Sequence, residues 1–316
     1  MNINHHSHVD DNDMNCAIGV EIGDSQIQCV LLREDGKVLF HRACPTLADG
    51  ASTLTTVDSL IRETLAFARE HTLSVAGVGV GVPAIVEKGV VVGASEHLPE
   101  LLGCDIKQRL LASFGLPVYI ENDAHMMAMA ENCYGNATTS NEVVFLTIGT
   151  GIGGALKLHG ELYGGNRNRG GELGHMIIKF GGEQCECGTK GCLQAYASID
   201  ALIKHYAVLA AMEKNLVSVE AVVNGYLKQE DNAVSAMNWH LDHLAAGVAS
   251  LINLFGPEKI IIGCQLNEIG SFYINELQQR VFAMALPAAT ENVTLCASYF
   301  AGKAGCIGAA TMVFVH

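Results

Sequence analysis

The sequence predicts an α/β protein of two similar domains with a cleft between them. A strand, a glycine turn, two more strands and then helices occur once near residue 17 and again near residue 143. In the first copy, apolar runs at 17–21 and 27–33 flank Gly23-Asp24-Ser25, and a third run follows at 38–41. This repeated order favours two domains, and one continuous α/β domain is the alternative.

The remaining elements follow from the spacing of apolar residues. In the first copy, helical spacing of apolar residues predicts a helix over 53–71, and a continuous apolar run predicts a buried strand over 75–82. A helix over 105–114 and a strand over 117–121 are expected next. A helix over 123–132 begins at Asn122 and Asp123, which are both good N-caps. The second copy is expected to contain strands at 142–148, 154–158, 161–163 and 259–262, helices between 199 and 254, and a final helix over 302–315.

Three segments define the expected domain organisation. Residues 1–15 are polar, and we expect a disordered tail there, with metal binding by His5, His6 and His8 as the alternative. Residues 16–123, with a C-terminal helix of about 304–316, form the smaller domain. Residues 124–303 form the larger α/β domain and include a cysteine-rich segment, 175–192.

Composition and charge exclude several classes of protein. Of the 316 residues, 49% are hydrophobic and only 16% are charged, which indicates a large buried core and argues against wholesale disorder. The longest apolar stretches are short and broken by glycines, so no membrane partner is expected. The net charge of −14 gives no basic face, so we expect no nucleic-acid binding by this chain alone. Eleven cysteines without a secretory signal predict a cytoplasmic protein with free thiols.

A glycine-rich turn stands between two apolar runs at 148–154, with the sequence IGTGIGG. Glycines allow backbone amides to turn toward a ligand, and a threonine adds a hydroxyl, so the run suits a phosphate. A purely structural hairpin is the alternative. Gly23-Asp24-Ser25 holds the equivalent place in the first copy, and two such hairpins facing each other could hold the two ends of a polyphosphate.

A carboxylate follows the strand at 117–121, in the run Glu121-Asn122-Asp123-Ala124. Such a group could take the proton from a hydroxyl that attacks a phosphoryl group. Ordinary helix capping is the alternative.

The cysteine-rich segment predicts a metal site. Cys185, Cys187 and Cys192 lie within eight residues, and His175 stands ten positions before the first of them. Three thiolates and an imidazole suit tetrahedral Zn²⁺, and four protein ligands make it a structural site. Chance clustering of thiols is the alternative. Glu172 and His175 are three residues apart and could share one face of a helical turn. The ring nitrogen of His175 that does not face the zinc could still reach a sugar hydroxyl.

Together these motifs resemble the ROK family of sugar kinases and regulators, within the sugar kinase and actin-like ATPase superfamily. The resemblance runs from Ala17 to the end of the chain. It is carried by IENDA at 120–124, IGTGIGGAL at 148–156, GGELGHM at 170–176, CECGTKGCLQAYAS at 185–198, LINLFGPEKIIIG at 251–263 and AGCIGAA at 304–310. It implies two ribonuclease H-like (actin-like ATPase) α/β domains with an interdomain cleft, which closes over the sugar.

The resemblance also implies an activity and a set of site residues. The reaction would be ATP- and Mg²⁺-dependent phosphorylation of a hexose or N-acetylhexosamine at the 6-hydroxyl, by a homodimer or homotetramer. Asp123 matches the catalytic base. The sugar contacts match Asn122, Glu172 and His175, with Gln194 and His97 at two further sugar positions. The nucleotide positions are Gly23, Ser25, Gly149, Thr150, Gly151, Gly153 and Gly263. The zinc ligands are His175, Cys185, Cys187 and Cys192, and Glu21 is a candidate for magnesium.

Four residues depart from the family pattern. Glu21 replaces an aspartate and Asp24 a glycine in the first phosphate motif, and Asp24 sets a negative charge beside incoming phosphates. Gln194 replaces a glutamate that contacts the sugar, and His97 replaces an asparagine. These departures favour, as the second hypothesis, a sugar-binding or regulatory protein with weak or no kinase activity. A zinc-ribbon interaction module is a third.

Overall fold

Two five-stranded sheets with the same strand order form the framework of the computed structural model. The structure describes residues 14–46, 50–93, 98–264, 266 and 272–316. His97 and most of the expected N-terminal tail, including its histidines, lie outside the described residues. The chain forms two compact units, one that runs to Glu121 and includes Cys306–His316, and one over Asn122–Gly305.

The described residues of the first unit form a sheet, a small hairpin and three helices. Its elements are β1 (Cys16–Ile22), β2 (Gln26–Arg33), β3 (Val38–Pro45), α1 (Gly50–Glu70), β4 (Val75–Val82), β5 (Ile85–Glu87), β6 (Val90–Gly93), a 3-10 turn (Pro99–Leu101), α2 (Ile106–Phe114), β7 (Val118–Asn122) and the C-terminal helix α10 (Ala304–Val315). The sheet order is β3-β2-β1-β4-β7, with β1, β2 and β3 antiparallel and β4 parallel to β1.

The second unit repeats this sheet and adds most of the helices. Its elements are α3 (Asp123–Tyr134), β8 (Val143–Ile148), β9 (Ile152–Leu158), β10 (Glu161–Leu162), α4 (Gln194–Ala197), α5 (Ile199–Leu209), α6 (Val219–Leu227), α7 (Asp231–Phe255), β11 (Lys259–Cys264), α8 (Phe272–Met284), α9 (Pro287–Thr290) and β12 (Thr294–Ala297), with 3-10 turns at Asn166–Asn168, Leu173–His175, Lys214–Leu216 and Ala301–Lys303. The order β10-β9-β8-β11-β12 matches the first sheet strand for strand.

Side-chain alternation explains why the second sheet is covered on both faces. Val144 and Leu146 of β8 belong to one buried cluster with residues of α5 to α8, whereas Val143 and Phe145 belong to another with Met127 of α3. Successive residues of a strand point to opposite faces, so a continuous apolar run buries both. The expectation of an α/β protein is confirmed by this arrangement.

The C-terminal helix packs directly on the first sheet because that sheet carries glycines. An ideal Cβ on Gly19 of β1 would lie 2.8 Å from the Cβ of Ala310 in α10. Gly79, its partner on the parallel strand β4, would meet the Ala309 backbone in the same way. Any larger residue at either position would push the helix away.

Several elements differ from those that sequence patterns predict. The β5–β6 hairpin, β12 and α8 are too short or too irregularly apolar to be recognised. Strand β9 begins at Ile152 instead of Gly154, because its ladder with β8 continues to the pair Ile148 and Ile152. Gly153 and Gly154 are strand residues because they pair with Thr147 and Leu146 of β8, and only glycine fits there because neighbouring side chains, Ala124 and Leu173 among them, occupy the space that a Cβ would need.

The longest described helix, α7, has one buried face. Its buried positions include Ala233, Met237, Leu241, Leu244 and Val248, at spacings of three and four residues. Among the described residues, no helix is long and apolar enough to cross a membrane.

A buried histidine on α7 is expected to make stability depend on pH. His240 is fully buried, with its Nε2 2.8 Å from the Tyr273 hydroxyl oxygen, and burial, with a smaller contribution from His243, lowers its pKa from 6.5 to about 3. Between about pH 6.5 and pH 3, the His240 side chain therefore binds a proton in the unfolded chain but stays neutral in the folded chain. The free energy of unfolding should therefore fall by about 1.4 kcal/mol for each pH unit below about 6.5.

Urea unfolding at pH 7 and pH 5 of the unmodified chain and of His240→Gln measures this effect. Other titrating groups are common to both proteins and cancel in the comparison. The unmodified chain should lose about 2 kcal/mol more than the variant between the two pH values. Equal losses would contradict the assignment.

Candidate functional site

The glycine turn of the second unit is a three-residue hairpin between β8 and β9. The ladder closes at Ile148 and Ile152, which leaves Gly149, Thr150 and Gly151 as the loop. The Gly149 amide donates to the Gly151 carbonyl at 2.9 Å. Among the described residues, apart from the two neighbours of Gly149 in the chain, no heavy atom lies within 4 Å of the position that a Cβ on Gly149 would take. The described part of the chain therefore leaves open space beside the Gly149 end of the loop, which suits a phosphate-binding turn.

Two hydrogen bonds hold this hairpin from the α4–α5 region. The Ile199 amide donates to the Gly149 carbonyl at 2.8 Å, and the Ile152 amide donates to the Gln194 Oε1 at 3.1 Å. The contacts lie at the two ends of the loop. The loop is thus fixed at its base by backbone and side-chain groups far along the chain.

The N-terminus of α3 lies against the strand that leaves the hairpin. Asn122 caps α3, since its Oδ1 accepts from the Ala124 and His125 amides at 2.9 and 3.3 Å. Asp123 is in the first turn, and its Oδ1 also accepts from the Ala124 amide at 2.8 Å. A Cβ on Gly153 would lie 2.9 Å from the Ala124 Cβ, so the helix start and β9 are in close contact.

The segment that carries Glu172 and His175 packs on the other side of β9. A Cβ on Gly154 would lie 2.6 Å from the Leu173 Cβ, and a Cβ on Gly171 would lie 3.6 Å from the Nε2 of His125. Glu172 is exposed and immediately precedes the 3-10 turn Leu173–His175. Hairpin, helix start and this turn therefore form one region of the second unit.

Four side chains of the second unit could hold a metal ion. The ligand atoms of His175, Cys185, Cys187 and Cys192 lie within 4.8 Å of one another. The Nδ1 of His175 is 3.7 Å from the Cys185 Sγ, and the Cys187 and Cys192 sulfurs are 3.7 Å apart. Two sulfurs bound tetrahedrally at about 2.3 Å from one zinc ion would be about 3.8 Å apart. The spacing and the donor set both fit Zn²⁺.

Local backbone geometry brings the three sulfurs together. Gly188 and Gly191 both have φ +88°, a left-handed conformation that glycine adopts readily. Burial and then the neighbouring thiols raise the pKa of Cys192 to about 12. Three adjacent thiols cannot all ionise without a cation to offset their mutual repulsion, and a bound divalent metal would supply that charge.

An aromatic group supports the cysteine-rich segment 175–192, which we call the metal segment. The Glu183 amide donates to the Tyr196 hydroxyl oxygen at 2.6 Å, and the Tyr196 ring stacks on His243 of α7 at 4.5 Å between centroids. Trp239 lies against both His205 and His243. This group attaches the segment to the helical layer, and sequence spacing gave no sign of it.

The first glycine hairpin belongs to the first unit and joins β1 to β2. The Gly23 amide donates to the Gln26 carbonyl at 3.0 Å. The Thr46 hydroxyl donates to the Gly23 carbonyl at 2.6 Å, and the Thr46 amide donates to the Ser25 carbonyl. Burial, with Glu21 as the next contribution, raises the pKa of the Cys306 thiol.

The structure groups most of the expected site residues of the second unit. Gly263 lies at the end of β11 beside Thr147, and a Cβ there would meet the Met127 sulfur. Gln194, a predicted sugar contact, directs its side chain to the hairpin amide of Ile152 and to Glu186. The sequence did not reveal His125 or Glu186, because neither is part of a recognisable spacing.

Two α/β units with this strand order are ribonuclease H-like, the architecture of sugar kinases and actin-like ATPases. The model of the ROK family matches residues 17–315, and the chain belongs to this family.

Three known proteins illustrate the range of this similarity. A glucokinase of Thermotoga maritima is 29% identical over 310 residues, which cover 94% of this chain and 96% of that protein. A xylose repressor of Caldicellulosiruptor bescii is 28% identical over 317 residues, covering 95% of this chain and 78% of the repressor. The crystal structure of a ROK family glucokinase from Streptomyces griseus, in complex with glucose and AMPPNP, superposes with a TM-score of 0.85 at 23% identity, over 95% of this chain and 100% of that one.

Proposed function

We propose that the chain is an ATP-dependent kinase that phosphorylates a hexose or N-acetylhexosamine at the 6-hydroxyl. The observation that carries this proposal is the close contact between the start of α3 and the strand after the glycine hairpin, at Ala124 and Gly153. It brings the Asp123 carboxylate and a loop suited to phosphate into one region, as phosphoryl transfer to a hydroxyl requires. The family membership and the glucokinase relative support the same assignment.

Each group has a distinct role in the proposed reaction. Asp123 accepts the proton of the attacking hydroxyl while the phosphoryl group is transferred. Asn122, Glu172 and His175 orient the sugar, and His97 is a further candidate for that role. The proposed nucleotide-binding residues of the second unit are Gly149, Thr150, Gly151 and Gly153 of the hairpin and Gly263, and those of the first unit are Gly23 and Ser25.

Two metals complete the proposal. Zn²⁺ would be held by His175 and the three cysteines and would stabilise the fold of its segment, since no ligand position remains for catalysis. Mg²⁺ would offset the charge of the nucleotide phosphates. Glu21 is the proposed magnesium ligand, because it replaces the aspartate of the family motif with another carboxylate.

A coupled assay of ADP release across a library of hexoses and N-acetylhexosamines tests the function directly. We expect sugar-dependent ADP release with at least one member, and mass spectrometry should find the phosphate on the 6-hydroxyl. Calorimetry with ATP·Mg²⁺ and with each sugar separates binding from turnover. Tight sugar binding without nucleotide binding or ADP release would reject the kinase.

A sugar-binding or regulatory protein without kinase activity is the second candidate. Asp24 in the first hairpin and the xylose repressor relative favour it. A negative charge beside the proposed phosphate position opposes nucleotide binding unless a cation offsets it.

Replacing Asp24 by glycine is expected to strengthen nucleotide binding. Removal of one charge about 4 Å from a phosphate is worth about 1 kcal/mol in water, so the KM for ATP should fall about fivefold. Asp24→Asn removes the charge with little change of shape and should give most of that effect. Steady-state kinetics with a saturating sugar measure it. A KM for ATP that is unchanged or higher in both variants would show that Asp24 does not oppose the nucleotide.

A further inference from the structure

The Gln194 side chain connects the glycine hairpin to the metal segment. Its Oε1 accepts from the Ile152 amide at 3.1 Å, and its Nε2 donates to the Glu186 Oε2 at 3.4 Å. Glu186 stands between the metal-ligand positions Cys185 and Cys187. We propose that Gln194 is a positioning residue that couples the metal segment to the phosphate-binding hairpin and tunes nucleotide affinity. This inference rests on the proposed kinase function.

Packing restricts the freedom of this side chain. A Cβ on Gly151 would lie only 3.0 Å from the Gln194 Oε1, so the loop and the amide group are already in close contact. Gln194 is half-buried at the start of α4, two residues after Cys192, which has no exposed surface. A displacement of the Cys192 backbone would therefore move the group that holds Ile152.

The helix that carries Gln194 is itself fixed. Leu193 is fully buried, and a Cβ on Gly247 of α7 would lie 2.7 Å from the Leu193 Cδ1. Tyr196, one turn further, holds the Glu183 amide of the metal segment. The hairpin, the metal segment and α7 are therefore joined through α4 by short contacts.

An amide at position 194 suits this role better than a carboxylate. It accepts from Ile152 and donates to Glu186 at the same time, which a carboxylate cannot do. A carboxylate there would face the Glu186 carboxylate and would add a negative charge beside a loop proposed to bind phosphates. The amide is therefore compatible with a nearby nucleotide, and its oxygen accepts from the Ile152 amide of the hairpin.

The test compares Gln194→Ala with Gln279→Ala in zinc-loaded protein. Gln279 is exposed on α8 and serves as the matched control. Hydrogen–deuterium exchange of peptides that cover 148–155 should become faster in Gln194→Ala, and its KM for ATP·Mg²⁺ should rise about fivefold to tenfold, as expected for one lost hydrogen bond. The KM for the sugar should change less than about twofold, and Gln279→Ala should match the unmodified chain in every measurement.

A double variant shows whether the effect comes from these hydrogen bonds. Gln194→Glu combined with Glu186→Gln keeps an acceptor for Ile152 and a donor–acceptor pair between the two side chains. In this double variant, we expect the hairpin amides to exchange as slowly as in the unmodified chain. In Gln194→Glu alone, they should exchange faster than in the unmodified chain, because two carboxylates would face each other.

Two opposite results would overturn the proposal. Unchanged hairpin exchange in Gln194→Ala would show that Gln194 does not position the hairpin. A raised KM for the sugar with an unchanged KM for ATP would assign Gln194 to the sugar. If the unmodified chain transfers no phosphoryl group, the proposed function fails, and the exchange measurement still decides the coupling because it needs no turnover.

Discussion

Asp123→Ala is expected to lower kcat for sugar phosphorylation by about 10²-fold to 10⁴-fold, the usual contribution of a positioned general base. Asp123 lies in the first turn of α3, next to the cap residue Asn122 and to the strand after the hairpin. Its loss would remove the group that accepts the proton from the attacking hydroxyl. The KM values for sugar and ATP should change much less than kcat, because the side chain acts mainly during transfer.

Two companion variants separate catalysis from helix capping. Asp123→Asn keeps an oxygen that can accept from the Ala124 amide, now at 2.8 Å, so the helix start should be preserved while the base is lost. Asp231→Asn changes the corresponding first-turn aspartate of α7, which is exposed, and should leave kcat unaltered. Turnover by Asp123→Ala at the rate of the unmodified chain would show that another group is the base.

Loss of the metal site is the second large effect that we expect. Cys192→Ser removes a fully buried ligand at the C-terminal end of the metal segment, just before α4. Zinc content should fall from one equivalent to a small fraction. The Tm should fall by about 10 °C, because several kcal/mol of binding free energy no longer stabilises a unit of this size.

Metal analysis and thermal unfolding with and without a chelator measure this prediction. Cys296→Ser, on β12 and outside the metal segment, is the matched control and should keep both zinc and the Tm of the unmodified chain within a few degrees. The chelator should lower the Tm of the unmodified chain and of the control but not that of Cys192→Ser. A full equivalent of zinc in Cys192→Ser would contradict the assigned ligand set.

Local sequence signals account for a large part of the fold. The turn Gly23-Asp24-Ser25 lies between two apolar runs, and the β1–β2 hairpin is present at that point. Asn122 caps α3, as its place before Asp123 predicted. These elements were predictable because each depends on residues only a few positions apart, where turn propensity and capping decide the backbone conformation.

Other parts of the fold depend on partners that are remote in the chain. Strand β12 has four residues and exists because it pairs with β11, more than thirty positions earlier in the chain. Gly153 lies in a strand because it pairs with Thr147 of β8, and the position takes glycine because the remote Ala124 side chain leaves no room for a larger residue. Local sequence periodicity predicts neither feature, because tertiary contacts override weak strand propensity.

The metal cluster and Gln194 show the same division within the site. The spacing of Cys185, Cys187 and Cys192, with His175 upstream, was enough to predict a four-ligand cluster. Three thiols within eight residues of the sequence cannot lie far apart in the structure. The role of Gln194 depends on a hydrogen bond to Ile152, 42 positions away, and only the packing of α4 against the hairpin decides it. The sequence by itself thus determined the family, the repeated α/β order and the donor set. The tertiary structure decided that the Gln194 amide meets both the hairpin and Glu186, because a hydrogen bond needs both groups within about 3 Å in a defined direction.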